Sequence, residues 1–360
     1  MAREFPYDDY KAAIESESGK SDHRFLIYGR ERNSGMVNTE NSMSKNYAVP
    51  QMDHSVCTRR SRYANREARI RLTTKCNYHC FFCHEEGGCQ APAAEWDSLR
   101  DLLLALKRQG RREITFTGGE PLLNKEVLVK ALNEIASWDV QPVVTVITNA
   151  VLMDEMVIEA LERCHSAKVH VSIHDPRTAA YRQITGQTIR TAEELKPVLR
   201  RLSSGSVRLK LNAVITDGLV KDENALPAIL GYAREVGASA VKFVELLETR
   251  DSSCWPMKGI PAKALGGLFS AAGFSEEGNT LRTEYWRSED GLVLEVSRCA
   301  CALGCGLCEA TRGDSFTGGT HYHPCFFSSV SIAMSGRSLE DVLKEGDDII
   351  NQFRAKRNAA

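Results

Sequence analysis

Hydrophobic and polar positions change period repeatedly along the middle of the chain. Runs that alternate or are wholly apolar read as strands: ARIRLTT (68–74), REITFTG (112–118), VVTVITN (143–149), AKVHVSIH (167–174), VRLKLNAVI (207–215) and AVKFVELLE (240–248). Between them lie runs with helical spacing. In EWDSLRDLLLALKRQG, Trp96, Leu99, Leu103 and Leu106 share one face and Gly110 ends the helix. NKEVLVKALNEIASW repeats the pattern at Leu128, Ala131, Leu132 and Ile135. DEMVIEALERC opens on Asp154 as N-cap, and ENALPAILGYAREVG is a further helix. TAEELKPVLRRL has Thr191 and Glu194 in capping-box spacing, with Pro197 expected to limit its first turn. Six strands alternating with helices imply βαβ units and a parallel sheet. Residues 67–250 hold too few units for an eightfold barrel, so the pattern leaves a partial barrel and a doubly wound sheet both open. In either, ligands bind at the carboxyl ends of the strands.

The ends of the chain differ. Residues 1–65 are polar and poorly periodic and read as an arm. After about residue 251 the βα rhythm stops, and SRCACALGCGLCEATRGDSFTGGTHYHPC is rich in cysteine and glycine. The 360 residues are 42% hydrophobic and 26% charged, enough to bury a core, and the net charge of −1 argues against a nucleic-acid binder acting by bulk charge. No apolar run is long enough to span a membrane, and the first residues are too polar for a secretory signal. Twelve cysteines without such a signal point to metal or catalytic use and to a cytoplasmic location.

Cys76, Cys80 and Cys83 follow the first strand directly, in C-x3-C-x2-C spacing. A structural zinc site wants four ligands. Three thiolates hold three irons of a cubane and leave the fourth iron open for a substrate or cofactor. With Phe82 before the last cysteine, the motif resembles the radical S-adenosylmethionine (radical SAM) signature. That resemblance implies a [4Fe-4S] cluster that binds S-adenosylmethionine and cleaves it to a 5′-deoxyadenosyl radical. Thr117, Gly118, Gly119 and Glu120 end the second strand, where the superfamily lines the cofactor's amino group. Glycines permit close backbone approach, and a carboxylate accepts from an ammonium. Thr148, Asn149, Ser172 and Asn212, on other strand ends, complete the expected cofactor pocket with Phe82. A second group, Cys305, Cys308 and Cys325, would hold a second [4Fe-4S] cluster, with Cys299 or Cys301 as a possible fourth ligand and a zinc knuckle as the rival.

Over residues 66–345 the chain resembles the GTP 3′,8-cyclases of molybdenum-cofactor biosynthesis. CFFCHEEG, ITFTGGEPLLNKE, VHVSIHDPRTAAYRQITG, LKLNAVITDG and VKFVEL carry the likeness, with the C-terminal CGLCEATRG and HPCFFS. Asn124 stands where that family has arginine after GEPLL. Ala310 replaces one of two arginines, Arg312 remains, and RNAA stands where the family has a Gly-Gly tail. Arg69, Lys210, Lys242 and Arg312 are the basic residues left to hold phosphate, and fewer arginine forks imply weaker triphosphate binding. The expected architecture is α/β: a partial (β/α)6 TIM-type barrel over 66–250 with a C-terminal auxiliary iron–sulfur module over 251–360. The expected activity is radical abstraction of hydrogen from a nucleoside, nucleotide or sugar, with flavodoxin or ferredoxin as electron donor. True GTP cyclisation and peptide modification are the alternative activities, and a non-enzymatic iron–sulfur or zinc protein is the alternative class.

Overall fold

The computed structural model describes residues 61–83, 93–187, 190–246, 255–298, 313–325 and 330–358. In chain order they form β1 (Ala68–Arg71), α1 (Trp96–Arg108), β2 (Glu113–Thr117), α2 (Lys125–Ala136), β3 (Val143–Thr148), α3 (Glu155–Glu162), β4 (Ala167–Ser172), α4 (Thr178–Thr185) and α5 (Ala192–Ser204). There follow β5 (Arg208–Ile215), α6 (Gly218–Lys221), α7 (Ala225–Glu235), β6 (Ala240–Glu245), α8 (Gly266–Ala271), β7 (Phe274–Asn279), β8 (Thr283–Ser288), β9 (Val293–Ser297), β10 (Asp314–Thr317), β11 (His321–His323), β12 (Ile332–Ala333) and α9 (Leu339–Asn358).

These strands make one sheet in the order β12-β11-β10-β1-β2-β3-β4-β5-β6-β9-β8-β7. Every pairing from β10 across to β9 is parallel, and the pairings outside that run are antiparallel. The fold is a mixed α/β partial barrel that does not close. The six strands read from the alternation lie consecutively within the parallel run. Two more, β9 and β10, extend it from the C-terminal segment, one at each end. β9 escapes a βα pattern because the antiparallel strand β8, not a crossover helix, precedes it.

Side chains alternate between the two faces of each strand. One face is apolar and covered: Ile70, Phe116, Val144, Val146, Val169, Leu211 and Phe243 are fully buried with Leu99, Leu103, Leu128 and Leu132 of the helices. Each such side chain contributes about 1.5–3 kcal/mol on leaving water. The opposite face is polar, and every strand of the parallel run contributes to it.

Local signals account for the helix ends. Asp154 Oδ1 accepts from the Val157 N–H at 3.2 Å. Thr191 and Glu194 form the expected capping box. Gly110 turns the chain with φ of +66°. Pro197 departs from expectation: it lies inside α5, and the helix continues past it. The capping box and the burial of Leu195, Leu199 and Leu202 offset its missing backbone bond.

A buried ion network ties the C-terminal strands to the barrel. Arg111 donates to Asp314 at 2.6 Å, and neither side chain is exposed. Asp314 also accepts from the Tyr322 hydroxyl at 3.1 Å and from Arg66 at 3.3 Å. Arg66 in turn reaches Asp347 of α9 at 2.9 Å. Arg111→Met leaves a buried carboxylate short of its closest cation, so a loss of about 3–5 kcal/mol is expected in chemical denaturation.

Candidate active site at the cysteine loop

The loop after β1 is held by two neighbours. On one side it meets the end of α4, whose last carbonyls have no helical partners. The His79 N–H donates to Thr185 O at 2.8 Å and the Phe81 N–H to Ile184 O at 3.2 Å. Gly186 closes that helix with φ of +63° and stands against His79. The hydroxyl of Tyr78 in the loop and that of Tyr181 in α4 bond to each other.

On the other side the loop meets the end of β2. The Gly119 N–H donates to Thr73 O and the Glu120 N–H to Lys75 O, both at 2.8 Å. A Cβ on Gly118 would stand 2.2 Å from Thr73 O, and one on Gly119 would stand 2.2 Å from Lys75 O. The glycines therefore permit backbone to approach backbone. Glu120 is 1% exposed. Its Oε1 accepts from Thr148 Oγ1 at 2.6 Å and from the Leu122 N–H at 3.0 Å, and its Oε2 accepts from the Asn149 N–H at 2.7 Å. Burial raises its pKa to about 7 against the pull of those bonds. The Asn149 amide donates to Asn77 Oδ1 at 2.6 Å, within the cysteine loop. Thr148, Asn149 and Glu120 thus lock the ends of β2 and β3 to the loop.

Cys76 and Cys80 are partly buried free thiols, and Cys83 is exposed. Burial pushes the Cys76 thiol up to about 11 and the Cys80 thiol up to about 12, and neighbouring cysteines of the trio add to both. Among the described residues no three His, Cys, Asp or Glu side chains converge on a single metal ion. A cubane requires one thiolate on each of several irons instead. Three neighbouring soft donors on one short loop fit that demand. Cys305, Cys308 and Arg312 lie outside the described residues, as do Cys299 and Cys301. Cys325 follows β11 and is partly buried.

Phe82 packs edge-on against His174 with ring centroids 4.8 Å apart. His174 is buried, its Nδ1 has no partner, and burial lowers its pKa to about 4. A cavity of about 460 Å³ opens beside it, lined also by Ile184, Thr216, Gly218 and Met257.

Further along the polar face, Ser172, Asn212, Lys242 and Glu295 stand in register across β4, β5, β6 and β9. Asn212 Oδ1 is buried without a partner. Lys210 reaches Glu295 Oε1 at 2.5 Å. His170 Nε2 is also buried and unpartnered, and burial first, then Lys210, Lys242, Lys168 and Arg69, holds its pKa well below the ordinary value. Arg69 lies 3.6 Å from Glu67. Three expected phosphate ligands, Arg69, Lys210 and Lys242, are therefore electrostatic neighbours on this face. Asn124 is not on it: its amide donates to Ala94 O at 2.9 Å and to Leu72 O at 3.3 Å.

The sequence reading missed His170, His174 and Glu295. The first was legible as an inward position of an alternating strand. The last was not, because β9 carries no βα signal.

Burial lowers the Lys242 pKa to about 8, with Glu295 opposing and Lys210 and Arg69 reinforcing the shift. Between about 8 and the ordinary value of 10.5 the unfolded chain binds a proton that the folded chain does not. Stability gained from this group therefore rises with pH across that window. Denaturation of the wild type and Lys242→Met from pH 7.5 to 10.5 is expected to show that rise in the wild type minus the variant.

An open α/β barrel with three cysteines on the loop after its first strand defines an enzyme of the radical SAM type. The family model "Radical SAM superfamily" matches residues 70–225. A probable GTP 3′,8-cyclase of Methanococcus maripaludis strain C6 is 30% identical over 291 residues, covering 78% of this chain and 92% of that protein. A probable GTP 3′,8-cyclase of Methanopyrus kandleri is 27% identical over 259 residues, covering 69% and 78%. The chain belongs to the radical SAM superfamily, as a relative of the GTP 3′,8-cyclases. Among solved structures, SuiB of Streptococcus suis bound to precursor peptide SuiA matches with a TM-score of 0.58 at 14% identity, over 78% of this chain. The chain spans 65% of that structure's length. No helix among the described residues is long and apolar enough to cross a membrane.

Proposed function

We propose that Cys76, Cys80 and Cys83 hold a [4Fe-4S] cluster whose open iron binds S-adenosylmethionine, and that the enzyme abstracts hydrogen from a nucleoside, nucleotide or sugar. The cysteine trio on a loop locked to the strand ends carries this reading. The bound cofactor supplies a 5′-deoxyadenosyl radical on one-electron reduction by a flavodoxin or ferredoxin in the cytoplasm. This chain's own residues orient it and exclude water. Thr117, the Gly118–Gly119 turn and Ser172 border its amino-acid end and ribose, while Glu120, Thr148 and Asn149 hold that border rigid. Phe82 and the cavity beside His174 suit its adenine. The polar face, with Asn212, Lys242 and Arg69, takes the substrate, and Arg312 of the C-terminal module over 251–360 is a further basic residue for it. That module holds a second cluster on Cys305, Cys308 and Cys325.

GTP cyclisation is the second reading, favoured by the names of the relatives. Two features support a different substrate. Asn124 is occupied by backbone carbonyls where the cyclases have arginine, and Lys210 is paired with Glu295.

The test is anaerobic reductive incubation with S-adenosylmethionine and a panel of nucleosides, nucleotides, sugars and GTP. Formation of 5′-deoxyadenosine, stimulated by a member other than GTP, is the expected result. A cyclised nucleotide from GTP alone overturns the substrate reading, and zinc in place of iron overturns the cluster.

A further inference from the structure

We infer that Glu295 is a positioning residue for substrate charge: by holding Lys210 it withdraws one cation from the polar face and turns the site from polyphosphate toward a substrate with a single anionic group. The inference rests on the reading of that face as the substrate site.

The pair is built into the sheet. Lys210 comes from β5 and Glu295 from β9, the two strands that flank β6. The ammonium and carboxylate lie 2.5 Å apart, and the side chains are 11% and 6% exposed. Shielded from water, the carboxylate cancels most of the lysine's field on any third group, so the pair offers a nearby anion no net attraction. Lys242 stands between them on β6, directly in register with Glu295. An anion drawn to Lys242 thus meets one cation in front and a neutralised ion pair beside it. Arg69, across the face on β1, adds a second cation already shared with Glu67. A compact anion needs no cation beyond these. A chain of phosphates extending from Lys242 along the row toward β9 meets the ion pair in place of a further cation.

The experiment uses the full chain, reconstituted with iron and sulfide, and calorimetric titration with sodium orthophosphate and sodium tripolyphosphate. For the wild type we expect affinities for the two within about threefold of each other. Glu295→Gln removes the carboxylate that offsets the Lys210 charge. Its tripolyphosphate affinity is expected to rise at least about tenfold against orthophosphate, a difference of about 1.4 kcal/mol. A merely structural role for Glu295 would lower both affinities together and leave their ratio fixed. That outcome overturns the inference, as does a wild type that binds tripolyphosphate at least about tenfold tighter or binds neither anion.

If Glu295→Gln fails to fold, Lys210→Met combined with Glu295→Leu removes the pair as a unit, which cores tolerate better than a lone buried charge. Its orthophosphate affinity is expected to stay within about threefold of wild type, and a tenfold loss shows Lys210 holding the anion and overturns the inference. Reductive formation of 5′-deoxyadenosine by the same wild-type preparation is scored separately. Its absence defeats the radical reading, whereas a fixed anion ratio alongside it defeats only the role of Glu295.

Discussion

A variant in which Cys76, Cys80 and Cys83 are all alanine is expected to form no 5′-deoxyadenosine under reduction, a loss of at least about 10³-fold, because on the proposed reading these thiols anchor the cofactor that supplies the chemistry. Bound iron is expected to fall by about four atoms per chain, since each cubane holds four. The fold has little reason to change. The loop is held by backbone bonds to Thr185, Ile184 and the ends of β1 and β2, and the Tyr78 N–H donates to Cys76 Sγ at 3.3 Å. The variant should therefore melt close to the iron-free wild type. Retained cleavage would place the cluster on other cysteines. Because burial raises the Cys76 and Cys80 thiols to about 11 and 12, loading the cluster must also release protons.

Gly119→Ala is expected to be nearly as damaging without touching a ligand. Its Cβ would stand 2.2 Å from Lys75 O and 2.7 Å from Thr74 O, both backbone atoms that cannot swing aside. The segment leading into Cys76 must move, and a misplacement of about 1 Å near a reacting centre costs about 10²-fold in rate. A stability loss of about 1–3 kcal/mol should accompany it, as for other overpacked sites. Gly231→Ala is the control. Gly231 lies within α7, an added Cβ there meets nothing within 4 Å, and about 0.5–1 kcal/mol of stabilisation is expected. If Gly119→Ala cleaves S-adenosylmethionine at the wild-type rate, the close packing of β2 on the cysteine loop is not what positions the cofactor.

The two variants separate what the motif residues contribute. In the sequence, Gly118, Gly119 and Glu120 read as groups facing a cofactor. In the structure the glycines face the backbone of Thr73 and Lys75, and the Glu120 carboxylate accepts three bonds from within the protein. Their direct partners are the walls of the site. Asn149 likewise reaches Asn77 of the cysteine loop. A motif string carries no information on which protein groups its members bond, and that was decided by the loop packed over it.

By itself the sequence determined the local elements and the spacing of the cysteine trio. Periods of two and 3.6 are set by backbone geometry within a few residues, so β1 to β6 and the helices with apolar faces were legible with their caps at Asp154 and Thr191. The spacing of Cys76, Cys80 and Cys83 was legible for the same reason, since all three belong to one loop. Only the tertiary structure decided what converges from afar. Lys210 and Glu295 are 85 residues apart, and Arg111 and Asp314 are 203 apart. Neither pair leaves a trace in local periodicity, because a strand's pattern records that one face is polar but not which strand will lie beside it. The placement of β9 and β10 at opposite ends of the parallel run, and with it the charge balance of the polar face, follows from that long-range choice.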